Sequence, residues 1–478
     1  MELIMNISRS SIMQAIKGGE KLKLEEIVRM LQQNLLLGLV ATAIICLILF
    51  ISYRYIYVRK FSKRHRVSRK KMFLFTLLIL YITSVCALTL LSRGANYNGI
   101  VNLALFSSYR EAWYTFSLRN WEYIYFNILM FVPFGILLPL LFKRFTSLPW
   151  MLLAAIIFTG FIESIQYITG TGIFELDDLF NNLLGACIGL GIVKACMNKR
   201  WYTRLLATLP LLLVIVLSAA MLLYYDQKEF GNLASTPVSK AHMKEANVST
   251  ETSFDSTSHV ANVYKAPRLT KEEAKQKAYA FFKEMNIDTS SIEIIDYQNE
   301  ALYRYNGEEA YSIYIYYLNG SYSTYNYSEL EASLMDTTEE TLRSELKKMA
   351  ITIPEQAQFK RMDKGQYKWF LHQFATDHQL IDGTLTLDYT TNHAIQSIEN
   401  NLIYYEKVKE VSIKSEKQAY DELQSGQFNV YDRNIKDLHV KKITLDYELD
   451  SKGFYQPVYT FNVILNGEKT TLTIAAID

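Results

Sequence analysis

Acidic and amide side chains interrupt stretches of sequence that otherwise have the composition of membrane-spanning helices. An ionisable group at membrane depth costs roughly 2.5–3.5 kcal/mol on insertion scales, so such groups indicate function or a bound partner. A carboxyl group at this depth can exchange protons or bind a cationic or hydroxyl-rich headgroup, and amides can donate and accept hydrogen bonds beside it. The predicted ligand-binding residues are Asn127, Glu163, Gln166, Asp177, Asp178 and Asn181.

Two interpretations remain open for the acids. Asp177 and Asp178 precede an apolar run, where a carboxylate can also cap the N-terminus of its own helix. Glu163 lies within an apolar run, with Gln166 three residues later on the same helical face, so capping does not account for it. The sequence favours a binding role for Glu163 and leaves Asp177 evenly divided between a cap and a ligand.

Proline and glycine residues in the same region predict how the helices pack. Pro133 removes a backbone donor and Gly135 permits a bend, so the helix that carries them is expected to kink. Gly185 and Gly189 are four residues apart and form a small-residue face for close helix approach.

The elements that must position these residues are six apolar runs of about 20 residues, each long enough to cross roughly 30 Å of hydrocarbon. They cover residues 35–52, 72–91, 123–142, 150–168, 179–197 and 205–224. Asn181, Asn182 and three glycines dilute the fifth run, so a re-entrant segment is an alternative there. The fold class is a polytopic α-helical membrane bundle of about six spans, followed by an extracytoplasmic α+β domain.

Charge divides the chain into unlike halves. Residues 1–224 carry a net charge of roughly +13 and residues 225–478 roughly −11. Lysine and arginine concentrate at 54–71, at 143–144 and at 194–204, which places those loops in the cytoplasm and the C-terminal half outside. The predicted domains are an amphipathic interfacial segment (1–34), the bundle (35–224), a polar linker (225–268) and the exported domain (269–478).

The exported half repeats a helix followed by strands. Capping boxes beginning at Thr270, Thr337 and Ser415 each predict a helix start. Asn319-Gly320 and Asn466-Gly467 predict tight hairpins between strand-like runs. The pattern indicates an antiparallel sheet with helices on one face.

Three motifs in order carry a resemblance to a known family. They are N-x-L-x-F-x-P-F-G from Asn127 to Gly135, E-x-x-Q from Glu163 to Gln166, and F-E-L-D-D-L-F-N-N-L-L-G from Phe174 to Gly185. Together they resemble the VanZ-like family of bacterial membrane proteins, over roughly residues 20–200. Many members of that family have an Arg near the position of Thr171, so the charge balance of this chain departs from the pattern. The segment from Ser415 to Tyr459 also resembles the YycI-type and PepSY-like regulatory domains, which implies repeated units of an interaction module.

The resemblance implies protection against teicoplanin-like lipoglycopeptides or cationic peptides at a Gram-positive cell envelope, through an outer-leaflet polar pocket. The implied partners are membrane lipids, a cell-wall precursor or lipoglycopeptide, and an envelope protein bound by the exported domain. Two other functions stay open: a membrane enzyme acting on a lipid-linked cell-wall precursor, and a membrane-anchored regulator of envelope signalling.

No pattern in the sequence predicts a catalytic residue, a cofactor, a metal or a nucleic-acid partner, and an enzymatic role is disfavoured without being excluded. All four cysteines lie in predicted spans. The exported half has six scattered histidines, none with metal-ligand spacing: His242, His259, His372, His378, His393 and His439.

Overall fold

The computed structural model describes residues 68–91, 101–116, 118–297, 299–307, 310–430 and 434–477. The chain divides into two compact units, with the boundary between Glu229 and Phe230, and each unit is described by itself. The predicted interfacial segment and the first predicted span lie outside the described residues.

The first unit is helical. Its long helices are α1 (Arg69–Cys86, continued by a π-helical turn, Ala87–Leu91), α3 (Leu118–Leu141), α4 (Leu148–Thr169), α5 (Leu176–Met197) and α6 (Trp201–Gln227). The described part of this unit also has a short helix, α2 (Ser107–Thr115), and two short parallel strands, β1 (Val101–Asn102) and β2 (Phe174–Glu175).

The five long helices are long and apolar enough to cross a membrane, so the second to sixth predicted spans are confirmed. The fifth predicted span belongs to α5, one continuous helix that begins three residues before the predicted start. The polar residues that weakened its apolar signal are buried against other helices and do not break it.

Backbone contact between α3 and α5 holds the centre of this unit. A Cβ atom on Gly185 would lie 2.0 Å from the Ile128 carbonyl oxygen, and one on Gly189 would lie 2.2 Å from that of Val132. A Cβ on Gly135 would lie 2.2 Å from the Ala186 oxygen. These distances are far below van der Waals contact, so only glycine permits the two helices to approach this closely.

In its described residues the second unit contains three α-helices and 14 strands. The helices are α7 (Lys271–Glu284), α8 (Glu339–Lys348) and α9 (Glu416–Gln424). The strands are β3 (Asn247–Thr250), β4 (His259–Lys265), β5 (Glu293–Asp296), β6 (Glu300–Asn306), β7 (Ala310–Tyr316), β8 (Tyr322–Asn326), β9 (Gln358–Asp363), β10 (Gln366–Ala375), β11 (Gln379–Tyr389), β12 (Ile395–Asn400), β13 (Ile403–Ile413), β14 (Asp437–Leu449), β15 (Phe454–Leu465) and β16 (Glu468–Ala475).

These strands form one sheet whose main path runs β3-β14-β15-β4-β13-β11-β12-β8-β7-β6-β5, with β9, β10 and β16 paired beside it. Every pairing is antiparallel except that of β3 with β14. The two predicted Asn-Gly hairpins join β7 to β8 and β15 to β16. The expected α+β class with a mainly antiparallel sheet is confirmed.

Two large hydrophobic cores and two smaller clusters lie on this sheet among the described residues. The first packs α7 and α8 against strands β6 to β12 around Trp369, which is fully buried. The second packs α9 against β14 to β16 around Phe461. The sheet is continuous, but its two ends are stabilised by separate sets of side chains.

The capping boxes at Thr270 and Ser415 form as predicted, with reciprocal side-chain and backbone hydrogen bonds. At α8 the structure differs by one residue, because the cap is Thr338, whose side chain accepts from the Thr341 amide. The backbone N–H of Thr337 donates to the Tyr367 hydroxyl at 2.7 Å, which fixes the chain before the helix.

The predicted polar linker, residues 225–268, has a different structure from the expected tether. Helix α6 continues to Gln227, and β3 and β4 are strands of the sheet. Alternate residues of β4, Ala261 and Val263, are buried on one face. The strand is short and these side chains are small, so the alternation is hard to recognise among the polar residues of this segment.

We expect Gly185→Ala to destabilise the helical unit by about 1–3 kcal/mol, because its methyl group must push α3 and α5 apart. Gly160→Ala is the matched control, since no atom lies within 4 Å of the Cβ it would add. Thermal unfolding of the two variants in detergent tests this, and equal melting temperatures would contradict the proposed backbone contact.

Candidate functional site

Helix α4 carries a buried polar stripe. Thr159, Glu163 and Gln166 are each less than 4% exposed, and their spacing places them on one face of the helix. The rest of α4 is mainly apolar, with Pro at its first turn and Gly170 closing its C-terminus in the left-handed conformation. Ser164 and Thr169 are exposed, so the helix has one buried polar face.

Helix α5 carries buried polar residues in its first two turns. Asp177, Asn181 and Asn182 are almost completely buried, and Asp178 is partly buried. The Asn182 side-chain amide donates to the Thr159 hydroxyl at 2.8 Å, which fixes the contact between α4 and α5.

This contact sets the level of the acids. The two helices run antiparallel and rise by the same amount per residue, so one turn along α4 from Thr159 corresponds to one turn back along α5 from Asn182. Those steps reach Glu163 and Asp178, which therefore lie at the same level. The Asn127 amide of α3 donates to Asp178 at 2.5 Å, so three helices contribute to this layer.

Asp177 belongs to a different arrangement. Its carboxylate accepts from the backbone amides of Phe106 at 2.5 Å and Ser108 at 2.8 Å, and from the Ser107 hydroxyl at 3.2 Å. These are the free donors at the start of α2, whose own cap residue, Phe106, makes no side-chain capping bond. Asp177 is thus a cap, as one sequence interpretation allowed, but of α2 and not of its own helix.

Asn181, like Asp177, faces α2. It accepts from the Tyr109 hydroxyl of α2 at 2.5 Å. The pairing of β1 with β2 brings α2 to α5, and the Asn102 amide in β1 donates to Ser107 at 2.9 Å. Asn181 and Asp177 together hold α2 in place.

Gln166 leaves an acceptor in the buried layer. Its amide nitrogen donates to the Thr89 carbonyl in the π-helical turn at 2.9 Å. Because a carbonyl can only accept, this bond fixes the orientation of the amide. Within the part of the chain that the structure describes, the Gln166 side-chain oxygen has no hydrogen-bond partner.

The predicted site residues therefore separate into two groups. Asn127, Glu163 and Asp178 share one layer with Gln166 at its edge, whereas Asp177 and Asn181 fasten α2. Sequence reasoning missed Thr159 and Tyr109, and it did not assign a site role to Asn182. Only the i, i+4 spacing of Thr159 and Glu163 could have indicated the first of these.

Comparisons with known proteins bear on this helical unit. Residues 39–197 match the family model VanZ/LLP1. The chain carries a VanZ-like domain. Four of the five apolar helices lie within the matched residues, and α6 follows them. Together these helices identify a multi-pass membrane protein.

Protein VanZ of Enterococcus faecium is 31% identical over 94 residues, which are 19% of this chain and 58% of that protein. The match thus spans less than two thirds of the relative's length. A solved structure of an uncharacterized protein from Eubacterium rectale ATCC 33656 aligns with 48% of this chain and with 86% of its own chain, at 15% sequence identity. The TM-score of 0.26 does not establish a shared fold. The YycI-type and PepSY-like resemblance stays a prediction.

We expect Asp177→Ala in the VanZ-like domain to destabilise α2 by about 1–2 kcal/mol, because the carboxylate caps its N-terminus. Ser107→Ala removes the longest of the three bonds to Asp177 and the bond from the Asn102 amide. It leaves both backbone amides of α2 bonded to the carboxylate, so it should cost less. Tryptic cleavage after Arg110, together with thermal unfolding, measures both, and equal loss in the two variants would contradict the capping role.

Proposed function

We propose that this protein acts in the bacterial envelope as a VanZ-like protein that lowers susceptibility to teicoplanin-like lipoglycopeptides. In this proposal, the layer formed by Asn127, Glu163 and Asp178 receives a polar headgroup from the outer leaflet. The observation that carries the proposal is the hydrogen bond from Asn127 to Asp178, with Glu163 at the same level inside a VanZ-like domain.

Basic residues support an outward-facing layer. Lys143 and Arg144 precede α4, and the Arg144 guanidinium lies 3.4 Å from the centre of the Trp150 ring, an arrangement common at a membrane interface. Glu163 lies about 22 Å along α4 from Leu148, at 1.5 Å per residue, so it is near the opposite end. The positive-inside rule then assigns the layer to the outer leaflet.

The same rule assigns the second unit to the outside. Helix α6 begins at Trp201, directly after Lys199 and Arg200, and ends at Gln227. A single crossing from a cytoplasmic start leaves residues from Phe230 onward on the extracellular side.

The chemistry of the layer favours a ligand that donates hydrogen bonds. The carboxylates and the Gln166 oxygen are acceptors, and hydroxyl-rich or cationic headgroups supply donors. Membrane lipids, a cell-wall precursor or the lipoglycopeptide itself all present such groups. In each case the apolar part of the ligand would remain in the hydrocarbon.

Drug susceptibility tests the proposal. A strain lacking the gene is complemented with the wild-type protein, Glu163→Gln or Asp178→Asn, and we expect both variants to lose protection. Losing one charged hydrogen bond costs about 1.5–3 kcal/mol, which corresponds to roughly tenfold weaker binding or more.

Glu122→Gln is the control, since Glu122 is an exposed carboxylate on α3. It should protect as well as the wild type, with all proteins compared at equal membrane abundance. Full protection by both Glu163→Gln and Asp178→Asn would refute the binding layer.

A second function, that of a membrane-anchored regulator, is favoured by one observation. Residues Phe230–Asp478 form a compact unit with its own hydrophobic cores. Fusing residues 228–478 to an unrelated membrane anchor separates the two functions. A restored phenotype would make the VanZ-like domain dispensable and would favour the regulator.

A further inference from the structure

A β-bulge in the second unit brings together three side chains that can ligate a metal ion. In the pairing of β10 with β11, Leu371 lies opposite Gly383 and Phe374 opposite Ile381. Two residues of β10, His372 and Gln373, therefore face the single residue Asp382. Asp446 of β14 completes the group.

The ligand atoms are close enough for one ion. Those of His372, Asp382 and Asp446 all lie within 4.8 Å of one another, and His372 Nδ1 is 3.6 Å from Asp382 Oδ1. A tetrahedral zinc ion with ligand bonds of 2.0–2.2 Å holds adjacent ligand atoms about 3.3–3.5 Å apart. The His372–Asp382 pair is already near that spacing, and Asp446 needs only a small movement.

The negative charge of the two carboxylates also favours a bound cation. The Asp382 side chain is only 11% exposed, and a second carboxylate lies beside it. Among the described residues, neither Asp382 nor Asp446 forms an ion pair with a lysine or arginine. A bound divalent ion would balance these two neighbouring carboxylates, one of which is mostly buried.

Outer hydrogen bonds hold both carboxylates in position. The Tyr455 hydroxyl donates to Asp382 Oδ2 at 2.7 Å, while Asp382 Oδ1 faces His372 and accepts from the Gln373 backbone amide at 3.3 Å. The Gln373 side-chain amide donates to Asp446 Oδ1 at 2.8 Å, and the Tyr447 amide donates to the same oxygen. Partners of this kind orient the ligands of protein-bound metals.

Ring packing holds Tyr455 in position beside Asp382. The Tyr455 ring is stacked on that of Tyr405, with centroids 4.1 Å apart, which fixes the direction of the hydroxyl.

We propose that His372, Asp382 and Asp446 bind one Zn²⁺ ion per chain, with water in the remaining coordination position. An imidazole nitrogen with two carboxylates favours zinc over Ca²⁺ or Mg²⁺, which prefer oxygen ligands alone. The ion links β10 to β14, and therefore the strands of the first hydrophobic core to those of the second. Sequence spacing did not show this site, because its ligands come from three strands and one of them is aimed by the bulge.

Titration of the full-length protein in detergent with Zn²⁺ alone tests the proposal by calorimetry. We expect one site that is lost in His372→Ala and in Asp446→Asn. His378→Ala is the matched control, because His378 is an exposed histidine in the turn that follows β10, and it should bind as the wild type does.

Gln373→Asn tests the outer hydrogen bond. Gln373 has φ of 47°, a conformation that Asn tolerates, but the shorter side chain cannot reach Asp446. Zinc affinity should fall about 10–100-fold, the usual effect of losing an outer partner.

Three results would overturn the proposal: no zinc site in the wild type, an unchanged site in His372→Ala, or equal affinity for Ca²⁺. Circular dichroism of each variant confirms that the sheet is intact. His372 is exposed, so its replacement should leave the fold unchanged.

Discussion

Close backbone contact between α3 and α5 is the constraint on which the VanZ-like domain depends. Gly185 lies against the carbonyl of Ile128, the residue that follows Asn127. This proximity is what allows the short side chains of Asn127 and Asp178 to hydrogen-bond directly. A larger residue at the contact would push the two helices apart and would lengthen this hydrogen bond.

The polar residues of α5 show how one helix supports two roles. Asp177 and Asn181 face α2, and they satisfy its free amides and the Tyr109 hydroxyl. Asp178 and Asn182 lie on the side that faces α3 and α4. Adjacent residues on a helix point about 100° apart, so neighbouring aspartates serve different neighbours. The acid that resembles a ligand in sequence need not be one, and only the position of α2 decides between them.

Much of the helical unit could be predicted because its signals are local. A run of apolar residues about 20 long is a property of one segment, and membrane thickness alone gives it meaning. The same holds for the Asn-Gly hairpins and for the capping boxes at Thr270 and Ser415, where every partner lies within a few residues. The partner of Asp177 could not be found in this way, since α2 lies about 70 residues earlier in the chain.

Non-local pairing limited prediction further in the second unit. Strand β4 pairs with β13 and β15, both more than 100 residues later, so nothing near it in sequence marks it as a strand. The bulge in β10 is equally hard to predict, because an extra residue changes which side chains face β11 without leaving a pattern in composition.

The proposed metal ligands are not close together in the sequence. His372 and Asp382 flank a hairpin turn, whereas Asp446 belongs to a strand that packs in the other hydrophobic core. A search for metal-ligand spacing in the sequence finds ligands on one helix or one loop. It does not find ligands that lie on three separate strands of a sheet. For such sites the register of the sheet carries the information, and the register is set by the burial of alternate side chains in the two cores and not by the ligands themselves.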